Sequence, residues 1–299
     1  MSEETAKPRW YVPTPGRLVL ALLVVELTLL LINYQSGWMV LTGIGIFILT
    51  ILVGLVWFGV ALVLRRKFQF SLLSLCGLML CLCLLGSWFA WKMERAKRQR
   101  EVAARIESLN GLVVYDYGLD KNGDWLPKGQ PPPAWLRDVV GVDFLSSPVG
   151  ATLQNAPVTD GQLTCLDEWA GQLLLLYLDE TQVTDEGVQF LAKFSELKCL
   201  ALDHTQVTDV GVGYLKRLPK LKLLCLAYTQ VSDTGLEHLK GLPHLEEIAL
   251  SGTHVTDSGL VHLEGLIKLE RLYVAETLVT EEGTNRLQQE LPNCKIIVE

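Results

Sequence analysis

A ten-residue pattern returns every 24 residues through the second half of this chain. It reads LYLDETQVTD at Leu176–Asp185, LALDHTQVTD at Leu200–Asp209 and LCLAYTQVSD at Leu224–Asp233. IALSGTHVTD at Ile248–Asp257 and LYVAETLVTE at Leu272–Glu281 continue it. A weaker copy, Ala151–Asp160, lies 25 residues ahead of the first, and Ile296-Ile297-Val298 begins another. Such a period dictates a stack of supersecondary units, because one unit cannot hide its apolar face and only a neighbour can cover it.

Each unit has a physical reading. The Leu-x-Leu pair alternates with period two, so a short strand turns both leucines inward. Val183, Val207, Val231, Val255 and Val279 extend the apolar wall. Asp185, Asp209, Asp233 and Asp257 are placed to cap the following helix, where Val188/Leu191/Phe194 and Leu236/Leu239/Leu242 keep the 3–4 spacing. Thr181, Thr205, Thr229, Thr253 and Thr277 form an internal column expected to satisfy loop backbone groups between turns. Right-handed strand–helix crossovers then close the chain into an α/β horseshoe, with a parallel sheet on its concave face and helices on its convex face. This solenoid is expected over residues 151–299.

Charge and hydropathy separate the rest. Residues 1–100 carry 11 Lys and Arg against 4 Asp and Glu, while residues 101–299 carry 15 against 29. The acidic part lacks the basic face that nucleic acid requires. The mean hydropathy of +0.29 comes from three apolar runs, Leu18–Tyr34, Trp38–Leu64 and Phe68–Trp91. A bilayer core takes about 20 helical residues, so residues 1–91 read as an all-α membrane domain with three transmembrane helices. Trp10, Tyr34, Trp38, Phe68, Trp88 and Trp91 stand where interfaces fall. Asn33–Gly37 offers no small-x-small exit, which argues against a signal peptide. Glu26, the one ionisable residue within a span, reads either as a neutral hydrogen-bonded carboxyl or as part of a relay.

Positive charge before the first span and after the second places those ends in the cytoplasm. By that rule the repeats are expected outside it, although Lys92, Arg95, Lys97, Arg98 and Arg100 follow the third span. Residues 92–150 form a juxtamembrane helix and N-terminal cap. Met93–Leu109 continues the third span, Gly111 ends the helix, Leu112–Tyr117 is a strand, and Trp135–Phe144 covers the open end of the solenoid. The basic run Lys92–Arg100 is either a solvated helix or a contact with anionic lipid headgroups.

The pattern Leu-x-x-Leu-x-x-Leu-x-Leu-x-x-Thr-x-Val-Thr-Asp-x-Gly-Leu resembles the leucine-rich repeats. It is most similar to the 24-residue GALA-like and cysteine-containing types of bacteria and F-box proteins. Arg65–Leu72, Arg95–Glu101, Val113–Tyr117 and Leu291–Ile296 resemble membrane-anchored leucine-rich-repeat proteins of planctomycetes. The resemblance implies a protein-binding horseshoe in a bacterial inner membrane. No F-box-like helical segment precedes the repeats.

The strand register sets the concave face. Its outward residues include Leu174, Leu175, Tyr177, Asp179 and Glu180, then Lys198, Cys199, Ala201, Asp203 and His204. Lys222, Leu223, Cys225, Ala227 and Tyr228 follow, then Glu246, Glu247, Ala249, Glu270, Arg271, Tyr273 and Glu276. Acids outnumber bases, and Tyr177, Tyr228 and Tyr273 are the type enriched at interface hot spots. These features predict a protein partner of basic character, with Tyr177, Asp179, Glu180, Asp203, His204, Tyr228, Glu246, Glu247, Glu270 and Tyr273 as contacts. Seven cysteines include no C-x-x-C, so zinc spacing is absent. Cys199 and Cys225 fall on adjacent strands two positions out of line, a diagonal of about 7–8 Å, beyond the usual disulfide reach of roughly 7 Å. His238 and His262 repeat at one position on separate helices. No phosphate loop, dinucleotide glycines, H-E-x-x-H or G-x-S-x-G occurs. The expectation is a recognition module without enzymatic activity, cofactor or metal; the alternative is a signalling or transport component acting through Glu26.

Overall fold

The computed structural model describes residues 72–119 and 131–298, with side chains from Cys83 on. The first two expected spans and the start of the third lie outside those residues. Among the described residues, no helix is long and apolar enough to cross a membrane. Two compact units divide the chain: one holds residues up to Glu94 with Pro132–Leu145, the other Arg95–Pro131 with Ser146 onward.

A 37-residue helix, α1 (Leu72–Ser108), begins in the first unit, which also contains α2 (Ala134–Val140) and α3 (Val142–Leu145). Phe89 of α1 meets Phe144 with ring centroids 5.4 Å apart, and Lys92 Nζ sits 5.7 Å over the Phe144 ring. Trp135–Phe144, expected to cover the open end of the solenoid, belong to this first unit. In the second unit the cap comes from α1 itself. Val102, Ala103 and Ile106 recur at helical spacing and enter the repeat core beside Trp169. A left-handed Asn110 ends the helix, and Gly111 N–H returns to the Ile106 carbonyl at 2.8 Å. That 6→1 bond is a Schellman stop.

The chain then enters β1 (Leu112–Tyr115), antiparallel to β2 (Pro148–Thr152). Six short parallel strands follow: β3 (Leu175–Tyr177), β4 (Cys199–Ala201), β5 (Leu223–Cys225), β6 (Glu247–Ala249), β7 (Arg271–Tyr273) and β8 (Lys295–Ile297). They form one sheet in sequence order, with Leu176 opposite Leu200 and Leu200 opposite Leu224. The helices between them are α4 (Asp160–Leu163), α5 (Asp185–Leu191), α6 (Asp209–Leu215), α7 (Asp233–Leu239), α8 (Asp257–Leu260) and α9 (Glu281–Glu290).

The core confirms the expected register. Leu176, Leu178, Leu200, Leu202, Leu224, Leu226, Ile248 and Leu250 have no exposed surface. Each such side chain contributes roughly 1.5–3 kcal/mol on burial, but only with a neighbouring repeat over it.

The polar links differ from expectation in two respects. The helix caps are Thr184, Thr208, Ser232 and Thr256, one residue before the aspartates; each hydroxyl accepts the N–H two residues on. The aspartates reach across instead. Asp160, Asp185, Asp209, Asp233 and Asp257 each accept the N–H of the next repeat's cap residue at 2.7–2.9 Å. They also accept its hydroxyl proton at 2.6–2.7 Å. One carboxylate thus orients a hydroxyl that is itself capping a helix. The glycine two residues after each aspartate leaves room for this carboxylate: a methyl on Gly211, Gly235, Gly259 or Gly283 would collide with the preceding repeat's Asp.

The second difference concerns the threonine column. Thr181, Thr205, Thr229 and Thr253 are buried, and each donates to the carbonyl three residues earlier at 2.6 Å. They close the turn within one repeat rather than linking turns.

Removing the inter-repeat link has a different expected effect from removing the turn lock. Asp209→Ala should lower stability by about 1.5–3 kcal/mol, the range for hydrogen bonds to a charged group. Asp209→Asn, which retains an acceptor and a donor, should lose less. Thr229→Val should lose about 1–2 kcal/mol through the unpaired Leu226 carbonyl. Urea unfolding checks all three, and an unchanged midpoint for Asp209→Ala contradicts the link.

Candidate functional site

The strand residues opposite the core leucines face the concave side, as the register requires. Part of that face is dry. Leu175 (8% exposed) and Cys199 (5%) join Leu119 and Val149 in a second apolar cluster, with Tyr177 packed against it. Ala201 and Ala227 are buried as well. Leu175 and Cys199 are therefore on the expected face but covered, which sequence reading missed because Leu119 arrives from a distant segment.

The thiols are sheltered rather than reactive. Burial pushes Cys199 up to about 11, against a hydrogen bond from Tyr177, and burial raises Cys225 too. Both stay protonated at neutral pH and are poor nucleophiles. Cys199 stands opposite Leu223 and Cys225 opposite Ala201, confirming the two-residue offset, and both are free. Among the described residues, no three His, Cys, Asp or Glu side chains are placed to hold a metal ion.

Several expected contact residues have partners already. Glu246 pairs with Lys222 at 2.7 Å, and Glu247 accepts Arg271 Nε at 2.8 Å. Glu247 also takes a hydrogen bond from Tyr273. Asp179 and Asp203 extend the inter-repeat logic to this edge. Asp179 accepts the N–H of Asp203 at 3.1 Å, and Asp203 accepts the N–H of Ala227 at 2.7 Å. Burial raises Asp203 to about 6, with Ala227 N–H opposing and the Asp179 charge reinforcing the rise. Glu180 is in none of the ion pairs among the described residues, and the Glu270 charge acts on Arg271.

The backbone is most unusual just beyond each strand. Asn155, Glu180, His204, Tyr228 and Glu276 all have φ between 54° and 56°, and Gly252 holds the same place at 68°. Left-handed backbone is costly for non-glycine residues, by about 1–2 kcal/mol each. The conformation is fixed by a ladder in which Glu180, His204, Tyr228 and Gly252 donate to the carbonyls of Asp203, Ala227, Ser251 and Ala275. Glu180, His204, Tyr228 and Glu276 are exposed. His204 stacks on Tyr228 at 4.4 Å and 8°. The Tyr228 ring lies over Gly252, where a methyl would come within 2.6 Å of Cε1, and its hydroxyl reaches Glu276. Beside His204, an open groove of about 590 Å³ is lined by Asn155, Pro157, Glu180, Gln182 and the His204 ring.

The structure therefore brings Glu180, His204 and Tyr228 together along one edge, with Asp179 and Asp203 beside them. Tyr177, Glu246, Glu247, Glu270 and Tyr273 lie on the sheet surface proper. Sequence reading missed the left-handed column, although Gly252 at the equivalent position carried the signal. A methyl on Gly213 would stand 3.4 Å from the His238 ring, in keeping with a repeat position.

The family profile described as Leucine rich repeat matches residues 195–255, and the repeat domain is a leucine-rich-repeat solenoid. Among solved structures, the chain is similar to an internalin (inlF) from Listeria monocytogenes, at 24% identity and TM-score 0.39, covering 45% of this chain. It spans 36% of that protein's length. It is also similar to an internalin C2 (inlC2) from Listeria monocytogenes, at 18% identity and TM-score 0.41, covering 66% of this chain and 92% of that one. No curated protein matches.

Two predictions follow from this edge. Gly252→Ala combines a left-handed alanine with a clash, so it should destabilise by about 1–3 kcal/mol; adding Tyr228→Ala should recover part of the loss in a double-mutant cycle. Additive losses contradict the packing. For Asp203, the folded state holds a proton more tightly than the unfolded chain between about pH 4 and 6, so stability should fall as pH rises through that window. Asp203→Asn should flatten that part of a stability–pH profile, and an unaltered slope counts against the buried carboxyl.

Proposed function

We propose that this chain is a membrane-anchored recognition module that binds a protein partner of basic character on the concave face, without catalysing a reaction. One observation carries the reading. The edge column holds Glu180, His204, Tyr228 and Glu276 exposed in left-handed backbone, where glycine would cost the fold less. The turn locks and the repeat links are made by other residues, so these side chains serve no evident need of the fold. Exposed tyrosines beside carboxylates are suited to protein contacts.

The membrane part of the proposal rests on the apolar runs before residue 92 and their flanking aromatic residues. A bacterial inner-membrane location with the repeats on the extracytoplasmic side fits the charge around the first two spans. In this reading Glu26 is a neutral carboxyl within the membrane domain.

Photo-crosslinking in cells tests the module. A benzophenone side chain at Tyr177 or Tyr273 should give a discrete protein adduct, and one at Lys240 on the helix side should not. Equal adducts from both faces, or none, contradict the assignment. The chain should also stay with membranes through alkaline extraction; release into the supernatant contradicts anchoring.

A further inference from the structure

The groove at the left-handed edge has a more specific chemistry than general acidity. The Tyr228 ring is held between His204 and Gly252. Glu180, His204 and Tyr228 occupy equivalent positions of successive repeats, so with Tyr228 on one face the other face of the His204 ring is left on the Glu180 side, where His204, Glu180, Asn155, Pro157 and Gln182 line one groove. Backing by Tyr228 fixes the imidazole plane. The backbone beneath is fixed as well, since Glu180 and His204 N–H groups are bonded to the Asp203 and Ala227 carbonyls at 2.8 and 2.9 Å.

A flat aromatic wall next to an unpaired carboxylate selects among cations. An ammonium ion is compact and strongly hydrated, and gains little from a planar wall. A guanidinium is planar, sheds water more readily, stacks on aromatic rings and pairs with a carboxylate through two parallel N–H groups. The ring face and the Glu180 carboxylate meet both requirements at once. Glu246 and Glu247, by contrast, are already engaged by Lys222 and Arg271. Further along the edge, the Glu276 charge acts on the Tyr228 hydroxyl and raises it above its ordinary value.

Building on the recognition function proposed above, we infer that this groove is an arginine-binding subsite, in which a partner's guanidinium stacks on His204 and pairs with Glu180. His204 and Glu180 are contact residues; Tyr228 and Gly252 are positioning residues that hold the ring upright. Affinity for a single side chain is weak, and the selectivity for arginine over lysine is the distinguishing property.

The full-length chain labelled with [13Cε1]histidine gives five resonances, and His204→Gln identifies the relevant one. Titration with N-acetyl-arginine amide should move the His204 signal saturably and leave the other four in place. N-acetyl-lysine amide should bind at least about 5-fold more weakly, as expected from the combined stacking and ion-pair contributions. Glu180→Gln should weaken the arginine probe by a few-fold, whereas Glu270→Gln, the same charge change away from the groove, should not; thermal melts establish that both variants are folded. No saturable shift, equal response to the two probes, or indifference to Glu180→Gln overturns the subsite. If crosslinks from Tyr177 and Tyr273 persist while the arginine probe fails, only this inference falls. If those crosslinks are absent while the probe binds, it is the broader recognition reading that fails.

Discussion

A single carboxylate contact organises the repeat domain. In successive repeats an aspartate at the start of a helix holds the N–H and the hydroxyl of the next repeat's cap residue. The cap hydroxyl then holds its own helix N-terminus. The carboxylate also lies near the positive end of a helix, where negative charge is favoured. Burial of leucine drives the stacking but is non-directional. The hydrogen-bonded link supplies direction, because it fixes the spacing between adjacent turns. Glycine at the fourth position of Thr-Asp-x-Gly is a consequence of that link, since any side chain there meets the carboxylate.

Because the fold's needs are met at the helix starts and in the turn locks, the concave edge is left to other uses. The ladder of N–H groups beyond each strand forces left-handed backbone at equivalent positions. Glutamate, histidine and tyrosine occupy those positions at a conformational cost that glycine avoids. Their side chains line up at repeat spacing, which makes stacking between His204 and Tyr228 a direct result of the solenoid geometry. Stacking on His204 and packing over Gly252 hold the Tyr228 ring in a set orientation, which would lower the ordering cost of any contact made there.

Periodicity made much of this architecture legible. Strand register, inward leucines and the offset of Cys199 and Cys225 all follow from spacing, while the helix expected to end at Gly111 ends at the left-handed Asn110 just before it. The helix caps were misplaced by one residue because Thr and Asp are both good capping residues, and period alone does not distinguish a bond within a repeat from one between repeats. Val102, Ala103 and Ile106 join the repeat core through a helical apolar stripe that lies outside the repeats, so the 24-residue period alone does not single it out. At the candidate site, outward positions were legible but their pairing was not. That Arg271 engages Glu247, or that Leu119 covers Leu175, depends on rotamers and on non-repeating segments.

Amide hydrogen exchange at Thr208, Ser232 and Thr256 tests the carboxylate link most directly. These N–H groups precede helices, where amides otherwise have no intrahelical acceptor. If the neighbouring aspartates hold them, they should exchange as slowly as the core strand amides of Leu200 and Leu224, by opening of the whole repeat stack. Replacing Asp209 by alanine should speed Ser232 selectively. Exchange of all three at the rate of exposed turn amides in the unmodified protein would contradict the account, leaving apolar burial alone to hold the repeats in register.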